Sequence, residues 1–329
     1  MKAKARSEEQ GMSTIMFPQR NLREETAPLR AQILDRLSKL PWDGLSFEHP
    51  VPGLSLYRII QPAGPFSSVY EPSLSFIIKG SKNVRVGNET MVYDEGCFFL
   101  TAIGLPVTGQ ICAASEGEPY VAAALRLDME KVRRIIADHD IHPTDLPERD
   151  LGVAVGTATC ELFDALFRLI SLAGAPADIP FLAGHIQNEI IYRLLTGEQG
   201  ARLRRFALAG TNSNRVAKAV AWLKENYTKQ LRVEELAEIA NMGVSTLHHH
   251  FRAMTAMSPL QFQKHLRLHH ARELMLSQSL DAATAALRVG YESPTQFNRE
   301  YRRAFGHPPL RDIRAILKSN DSTRRSPAG

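Results

Sequence analysis

The 329-residue chain has only three cysteines, Cys97, Cys112 and Cys160, odd in number and widely separated. That pattern gives neither a disulfide framework nor a Cys-x-x-Cys metal site, and it suits a reducing compartment. No apolar run approaches the ~18 residues that a membrane span needs. The N-terminus, MKAKARSEEQGMSTIMFPQR, has charge but no apolar stretch of the signal-peptide kind, so a cytoplasmic protein with no membrane partner is expected. Between Val51 and Asp128 there is no histidine at all, and His49 lies just outside, alone. Clustered imidazoles are what a metal-holding barrel would require, which argues against a metal centre there. The motifs GxSxG, HExxH, the P-loop and GxGxxG in its strand-to-helix context are also missing. No catalytic residue, cofactor or metal is therefore expected.

Charge is present but unevenly placed. Residues 213–329 carry 18 Lys+Arg against 10 Asp+Glu, a net of +8, whereas the residues before them carry 22 against 25, a net of −3. A basic excess confined to one end attracts phosphate through counterion release. A membrane-surface explanation would need an amphipathic helix with exposed Leu or Trp, and none is evident.

From Leu54 the texture is that of strands. LSLYRII, LSFIIKG, NVRVGNETMVYDEG, CFFLTA, PVTGQICAAS and YVAAALRLD alternate apolar and polar residues between Gly, Asn and Pro breaks, which reads as a small barrel or sandwich. The period then becomes helical in MEKVRRIIADHD, ATCELFDALFRLISLAG and IPFLAGHIQNEIIYRLLTGEQGARLRRFAL. The stripe Phe181, Ile186, Ile190, Leu194 reads as core or as a dimer face, with Arg204 and Arg205 marking a solvated helix end. Cys112 sits in strand texture and is expected as a buried small hydrophobe, with an effector-reactive thiol as the other reading.

The basic end contains an internal repeat. VEELAEIANMGVSTLHHHF, Val233 to Phe251, has the layout of AATAALRVGYESPTQFNREY, Ala282 to Tyr301. Ala237 matches Ala286 and Asn241 matches Gly290, the two residue types that tolerate a left-handed turn. With one extra residue in the second turn, Leu247 pairs with Phe297 and Phe251 with Tyr301. Each copy is thus a short helix, a turn and a second helix with two core anchors, the helix-turn-helix plan. In the second copy Ser293 can cap the helix and Pro294 fits its first position. Between the copies SPLQFQKHLRLHHARELML, Ser258 to Leu276, would form a helix of ~28 Å, near the ~34 Å between successive major grooves on one DNA face.

These residues resemble the AraC/XylS family of transcription regulators, over Arg215 to about Leu317, most specifically in Gly290, Tyr291, Ser293, Phe297, Arg299, Phe305, Gly306, Pro308 and Pro309 at the family's spacing. The stretch from Tyr70 to Asp128 is similar to the cupin-like, effector-binding N-terminal region of one subgroup. The resemblance implies an α+β chain: an N-terminal cupin-like β-barrel with helices, then an all-α domain with two helix-turn-helix units joined by a helix. It divides into a flexible segment at 1–28, with Met12 a candidate start, a regulatory domain at 29–208, a linker at 209–214, a DNA-binding domain at 215–317 and a flexible tail at 318–329.

The function implied is that of a sequence-specific regulator, an effector-responsive activator by resemblance. Double-stranded DNA is the expected partner, with a small-molecule effector, RNA polymerase and a second copy of the chain as further partners. Ser245, Thr246, His248, His249 and Arg252 fall on the first reading helix; Ser293, Thr295, Gln296, Asn298, Arg299, Arg302 and Arg303 fall on the second. Arg299 suits a guanine read at O6 and N7 together, Gln296 an adenine and Thr295 a thymine methyl. Arg302 and Arg303 suit phosphate. Tyr57, Phe76, Tyr93 and Phe99 are the candidates to line an effector cavity in the barrel, against a plain core role for each. The run His248, His249, His250 cannot converge on one ion because helix neighbours point ~100° apart. His265, His269 and Glu273 lie along one face of the connecting helix, facing solvent or phosphate, or holding zinc. A nonspecific architectural DNA binder and a metal-dependent cupin enzyme tethered to DNA are the alternatives.

Overall fold

A computed structural model describes residues 14–15, 20–42, 44–139, 141 and 151–324. Strand β1 (Thr14–Ile15) precedes helix α1 (Arg20–Ser38). Nine strands follow: β2 (Ser46–Glu48), β3 (Leu54–Ile59), β4 (Ala63–Tyr70), β5 (Ser73–Lys79), β6 (Ser81–Val86), β7 (Glu89–Asp94), β8 (Cys97–Thr101), β9 (Leu105–Ile111) and β10 (Tyr120–Arg126). Then come α2 (Met129–Asp138), β11 (Val153–Thr157), α3 (Cys160–Ser171), α4 (Ile179–Thr196) and α5 (Gly200–Ala207). The remainder is helical: α6 (Asn212–Glu225), α7 (Val233–Ile239), α8 (Val244–Thr255), α9 (Pro259–Ser277), α10 (Ala282–Arg288), α11 (Pro294–Phe305) and α12 (Pro309–Arg324).

The strands form two facing sheets, ordered β1-β7-β6-β9-β4 and β11-β8-β5-β10-β3-β2. Pairing is antiparallel except where β1 lies parallel to β7. Alternation on β5 and β8 explains the layering. Leu74, Phe76 and Ile78 are buried on one face of β5, where Phe76 meets Phe163 of α3 at 5.7 Å between ring centroids. On the face between the sheets, Phe99 stacks on Tyr93 at 5.4 Å and meets Tyr70 edge-on at 6.3 Å. The β6–β7 hairpin closes through Gly87 and Asn88, with Val86 opposite Glu89 and Gly87 at φ +59. That is a two-residue turn, and such turns favour glycine.

One contiguous buried core runs from Ile33 of α1 through both sheets and α3 to α5, and on to Leu266 of α9. A separate core, from Leu268 to Ile313, holds the last three helices together. The first helix-turn-helix unit therefore shares its interior with the barrel half, and the second has its own.

Several expectations need correction. Residues 1–28, expected to be flexible, include the first turns of α1, while residues 1–13, with Met12, lie outside the described residues. The buried guanidinium of Arg30 holds α1 against the barrel by donating to Glu95 at 2.8 Å and to the Ile78 carbonyl at 3.3 Å. Helix α6 begins inside the expected linker, and α12 continues into the expected tail as far as Arg324. Cys112 is exposed rather than buried. It follows the buried Ile111 at the end of β9, so alternation turns it outward, where Asn83 donates to its sulfur at 3.3 Å. Arg204 is buried rather than solvated, because α5 turns that face inward and Arg204 donates to the Leu195 carbonyl. In the stripe on α4, Ile186, Ile190 and Leu194 are core while Phe181 is 71% exposed.

Candidate nucleic-acid interface

The two repeats fold alike. Helices α7 and α8 make the first unit, α10 and α11 the second, with α9 between them. Asn241 has φ +50 and Gly290 φ +89, both left-handed. In each turn the same backbone bond closes the bend: Met242 N–H to the Ala237 carbonyl at 2.9 Å, and Tyr291 N–H to the Ala286 carbonyl at 3.0 Å. Leu247 and Phe251 are fully buried in the first unit, as are Phe297 and Tyr301 in the second.

With those anchors inward, the opposite faces point to solvent. Ser245, Thr246, His248, His249 and Arg252 are exposed on α8, and His250 is buried. On α11, Thr295, Gln296, Asn298, Arg299, Arg302 and Arg303 are exposed. Ser293 is half-buried as the N-cap, accepting from Gln296 N–H at 3.3 Å. All twelve residues named from the sequence thus lie on the two second helices, but not all face the same surroundings. Arg252 borders a cleft shared with Thr90 and Met91 of β7 and Val153 and Val155 of β11. Arg303 borders a cavity shared with Arg85 of β6 and Thr108 of β9.

The second unit is braced by a charged network. Glu300 takes Lys264 at 2.9 Å, the Tyr291 hydroxyl at 2.8 Å and Gln296 at 3.1 Å. Burial raises the Glu300 pKa, but these donors outweigh it and hold the carboxyl below its ordinary value. Gln296, named as a base reader, is therefore already engaged by its own helix one turn on. Behind α11, Asp312 of α12 accepts from Arg272 at 2.8 and 2.9 Å and from the Tyr301 hydroxyl at 2.7 Å. Burial, then the Asp312 carboxylate, pushes the Tyr301 phenol up.

Arg267 has no counterpart among the sequence-named residues. From α9 its guanidinium donates to the carbonyls of Tyr227, Lys229 and Gly290 at 2.7, 2.8 and 2.8 Å. Backbone carbonyls carry no sequence signature, so spacing alone could not reveal its role. The zinc reading of His265, His269 and Glu273 meets divergent surroundings. His269 is buried beside Phe305, whereas Glu273 is exposed and bonds His270 at 3.1 Å. Among the described residues no group of three or more His, Cys, Asp or Glu side chains could hold a metal ion.

The effector candidates divide similarly. Tyr93 and Phe99 are buried between the sheets, Phe76 is buried against the helices and so does not line the barrel interior, and Tyr57 is 36% exposed.

Comparison with known proteins places both halves. Residues 50–202 match the family described as the AraC-type transcriptional regulator N-terminus, and residues 236–314 match a helix-turn-helix domain family. The HTH-type transcriptional activator RhaS of Salmonella schwarzengrund is 30% identical over 152 residues, 45% of this chain and 52% of that protein. The chain thus spans about half the length of the curated relatives it matches. A structure of ToxT from Vibrio cholerae O395, bound to (E)-4-(8-methylnaphthalen-1-yl)but-3-enoic acid, shares the fold at a TM-score of 0.53 and 9% identity, covering 80% of this chain and 98% of that one. The DNA-binding domain of AdpA, solved with a target DNA, is 30% identical over 32% of this chain and 96% of that chain, at a TM-score of 0.31.

Proposed function

The chain belongs to the AraC-type transcriptional regulators, and from that premise we propose a sequence-specific regulator that lays α8 and α11 into successive major grooves of double-stranded DNA. The observation that carries this reading is the pair of equivalent helix-turn-helix units on α9, each with buried anchors behind an exposed, hydrogen-bonding helix face. Arg299 is the principal base reader, through a bidentate bond to guanine, and Thr295 and Asn298 read beside it. Arg302 holds phosphate. Ser245, Thr246, His248 and His249 make shorter contacts from the first unit.

The barrel half is a regulatory module rather than an enzyme, and an effector bound there acts only by preferring one arrangement of the chain over another. By the example of RhaS, an HTH-type transcriptional activator, the protein is an activator, and RNA polymerase is its expected partner in that role. A second copy is its further partner, and the cytoplasm its compartment. No single described helix is long and apolar enough to cross a membrane.

Selection of bound sites from a random DNA library with the full chain tests this. Two short preferred blocks on one face, about one helical turn apart, are expected. Equal recovery of all sequences would instead identify a nonspecific architectural binder. Stoichiometric metal found in the purified protein by elemental analysis would favour the tethered cupin enzyme.

A further inference from the structure

One exposed side chain on α11 is already held. Gln296 donates from Nε2 to Glu300 Oε1 at 3.1 Å, one turn along its own helix. Thr295, Asn298, Arg299 and Arg302 make no side-chain hydrogen bond among the described residues. A lone Gln–Glu pair at this spacing on a helix surface is a weak contact. Here the acceptor is itself fixed. Glu300 Oε1 also takes the Lys264 ammonium of α9 at 2.9 Å, and Oε2 takes the hydroxyl of Tyr291, in the bend before α11, at 2.8 Å. With its side chain only 19% exposed, Glu300 is a fixed point rather than a free surface acid.

The charge of Glu300 decides which end of the amide it holds. Burial raises the Glu300 pKa, but the bonds from Lys264, Gln296 and Tyr291 outweigh it and keep the carboxyl ionised at neutral pH. An ionised carboxylate only accepts, whereas a primary amide has a donor end and an acceptor end. Only Nε2 can therefore face Glu300, and Gln296 Oε1 has no partner among the described residues. One N–H of Nε2 is spent on the carboxylate and one remains. Donation to an anion also polarises the amide, which makes its oxygen a stronger acceptor.

Base edges in the major groove answer such a group unequally. Adenine presents an N6 amine beside N7, and cytosine an N4 amine. Guanine presents only the acceptors N7 and O6, and thymine O4 and a methyl group. An unheld glutamine can turn its NH2 toward guanine, but one with Nε2 tied back and its oxygen leading meets guanine acceptor to acceptor.

We infer that Glu300 is a positioning residue for base selection: by tying back Nε2 it makes Gln296 a reader that requires an amino group on the base, adenine first and cytosine second. Adenine comes first because the remaining N–H can reach N7. This rests on the reading of α11 as a base-reading helix and deepens it by giving one residue's base preference and its cause. Through Glu300, the choice of base is set by side chains on α9 and in the turn.

The test puts the full chain and its variants through selection from a random DNA library, then through competition among four duplexes that differ at one base pair. That base pair is the one whose preference vanishes in Gln296→Ala. There the wild type should bind adenine over guanine by about tenfold or more, with cytosine between. Glu300→Gln offers the amide both a donor and an acceptor and so lets it turn over, and Glu300→Ala removes the hold altogether. Each should reduce the adenine-over-guanine ratio to about threefold or less. The guanine preference assigned to Arg299 should persist in both, because a residue that only braced the fold would relax all positions together. Circular dichroism checks folding, and Glu300→Gln serves alone should Glu300→Ala not fold.

The inference is overturned by guanine or thymine preferred at that base pair in the wild type, by a ratio undiminished in every folded Glu300 variant, or by equal relaxation at all positions. A selected site in which no position responds to Gln296→Ala overturns it as well. Recovery of all sequences alike by the wild type would instead overturn the sequence-specific reading, so the two failures remain separate.

Discussion

Arg267 donates to the carbonyl of Gly290 at 2.8 Å, and with the same guanidinium holds the carbonyls of Tyr227 and Lys229. One side chain on the connecting helix thus joins the loop that enters the first helix-turn-helix unit to the bend inside the second. The spacing of α8 and α11 rests on this clamp as well as on the length of α9.

Replacing Arg267 by alanine leaves several backbone carbonyls without their donor, at a cost of about 1 to 3 kcal/mol. Urea unfolding of the full chain measures it. Arg267→Lys should recover little, because an ammonium lacks the planar fork that reaches separate carbonyls. DNA with both half-sites should lose more affinity than DNA with either one. Equal losses would show that the clamp has no part in spacing.

Arg299→Ala should weaken binding to the selected site by about 1 to 3 kcal/mol and relax preference at one base pair. Arg302→Ala should weaken all sequences alike and reduce the salt dependence by about 1 phosphate. A titration series over several salt concentrations, run on preferred and scrambled DNA, separates the two. An unchanged base preference in Arg299→Ala would remove α11 as the reader.

The equivalent turn residues should respond unequally to substitution. At Gly290, φ is +89 and an added Cβ would lie 2.3 Å from the Thr228 carbonyl oxygen. Gly290→Ala therefore meets both strain and collision and should cost about 3 kcal/mol or more in denaturant unfolding. Asn241 already occupies a left-handed conformation at φ +50. Asn241→Gly should lie within about 1 kcal/mol of the wild type.

Acid should destabilise the protein through His269. Burial, then His265 and Arg272, lowers its pKa from 6.5 to about 3 in the fold, opposed by Glu273 and reinforced by His270. Between those values the unfolded chain binds the proton and the folded chain does not. This group's contribution is therefore intact above pH 6.5 and is lost as pH falls toward 3. His265, also lowered by burial and by Arg85, acts with the same sign. His269→Leu should recover about 2 kcal/mol of the stability lost between roughly pH 7 and pH 5. Unfolding free energies at the two pH values give the result, and an unchanged slope would exclude this residue.

The internal repeat made the helical half legible, because a bend needing a left-handed residue and anchors at matching offsets leave a pattern in one chain. Asn241 with Gly290 and Phe251 with Tyr301 fell where the repeat put them. The barrel half was legible as strands, but β1, β2, β4 and β11 were not. AGPFSSVY and VAVGT are too poor in alternating hydrophobic residues, or too short, to stand out from loops. Burial of Arg204 and exposure of Cys112 depended on which face of an element met its neighbour, which periodicity leaves open by one residue. The cavity near Arg303 was invisible for a different reason. Arg85 and Arg303 are 218 positions apart in the chain and meet only through the docking of the two halves.

That docking is made partly by main chain. Gly152 donates its N–H to the Met254 carbonyl on α8 at 2.8 Å. The Gly87 turn approaches Ala256, at the end of the same helix, so closely that a Cβ on Gly87 would lie 2.6 Å from the Ala256 Cβ. A contact of this kind has no side chain to delete. Alanine at Met254 would leave the Gly152 bond in place, because the acceptor is main chain, whereas a Cβ at position 152 itself would lie 2.5 Å from Ile103 Cγ1. A proline at position 152, which removes the donor, or a bulky residue at 87, which wedges the surfaces apart, would act on it directly.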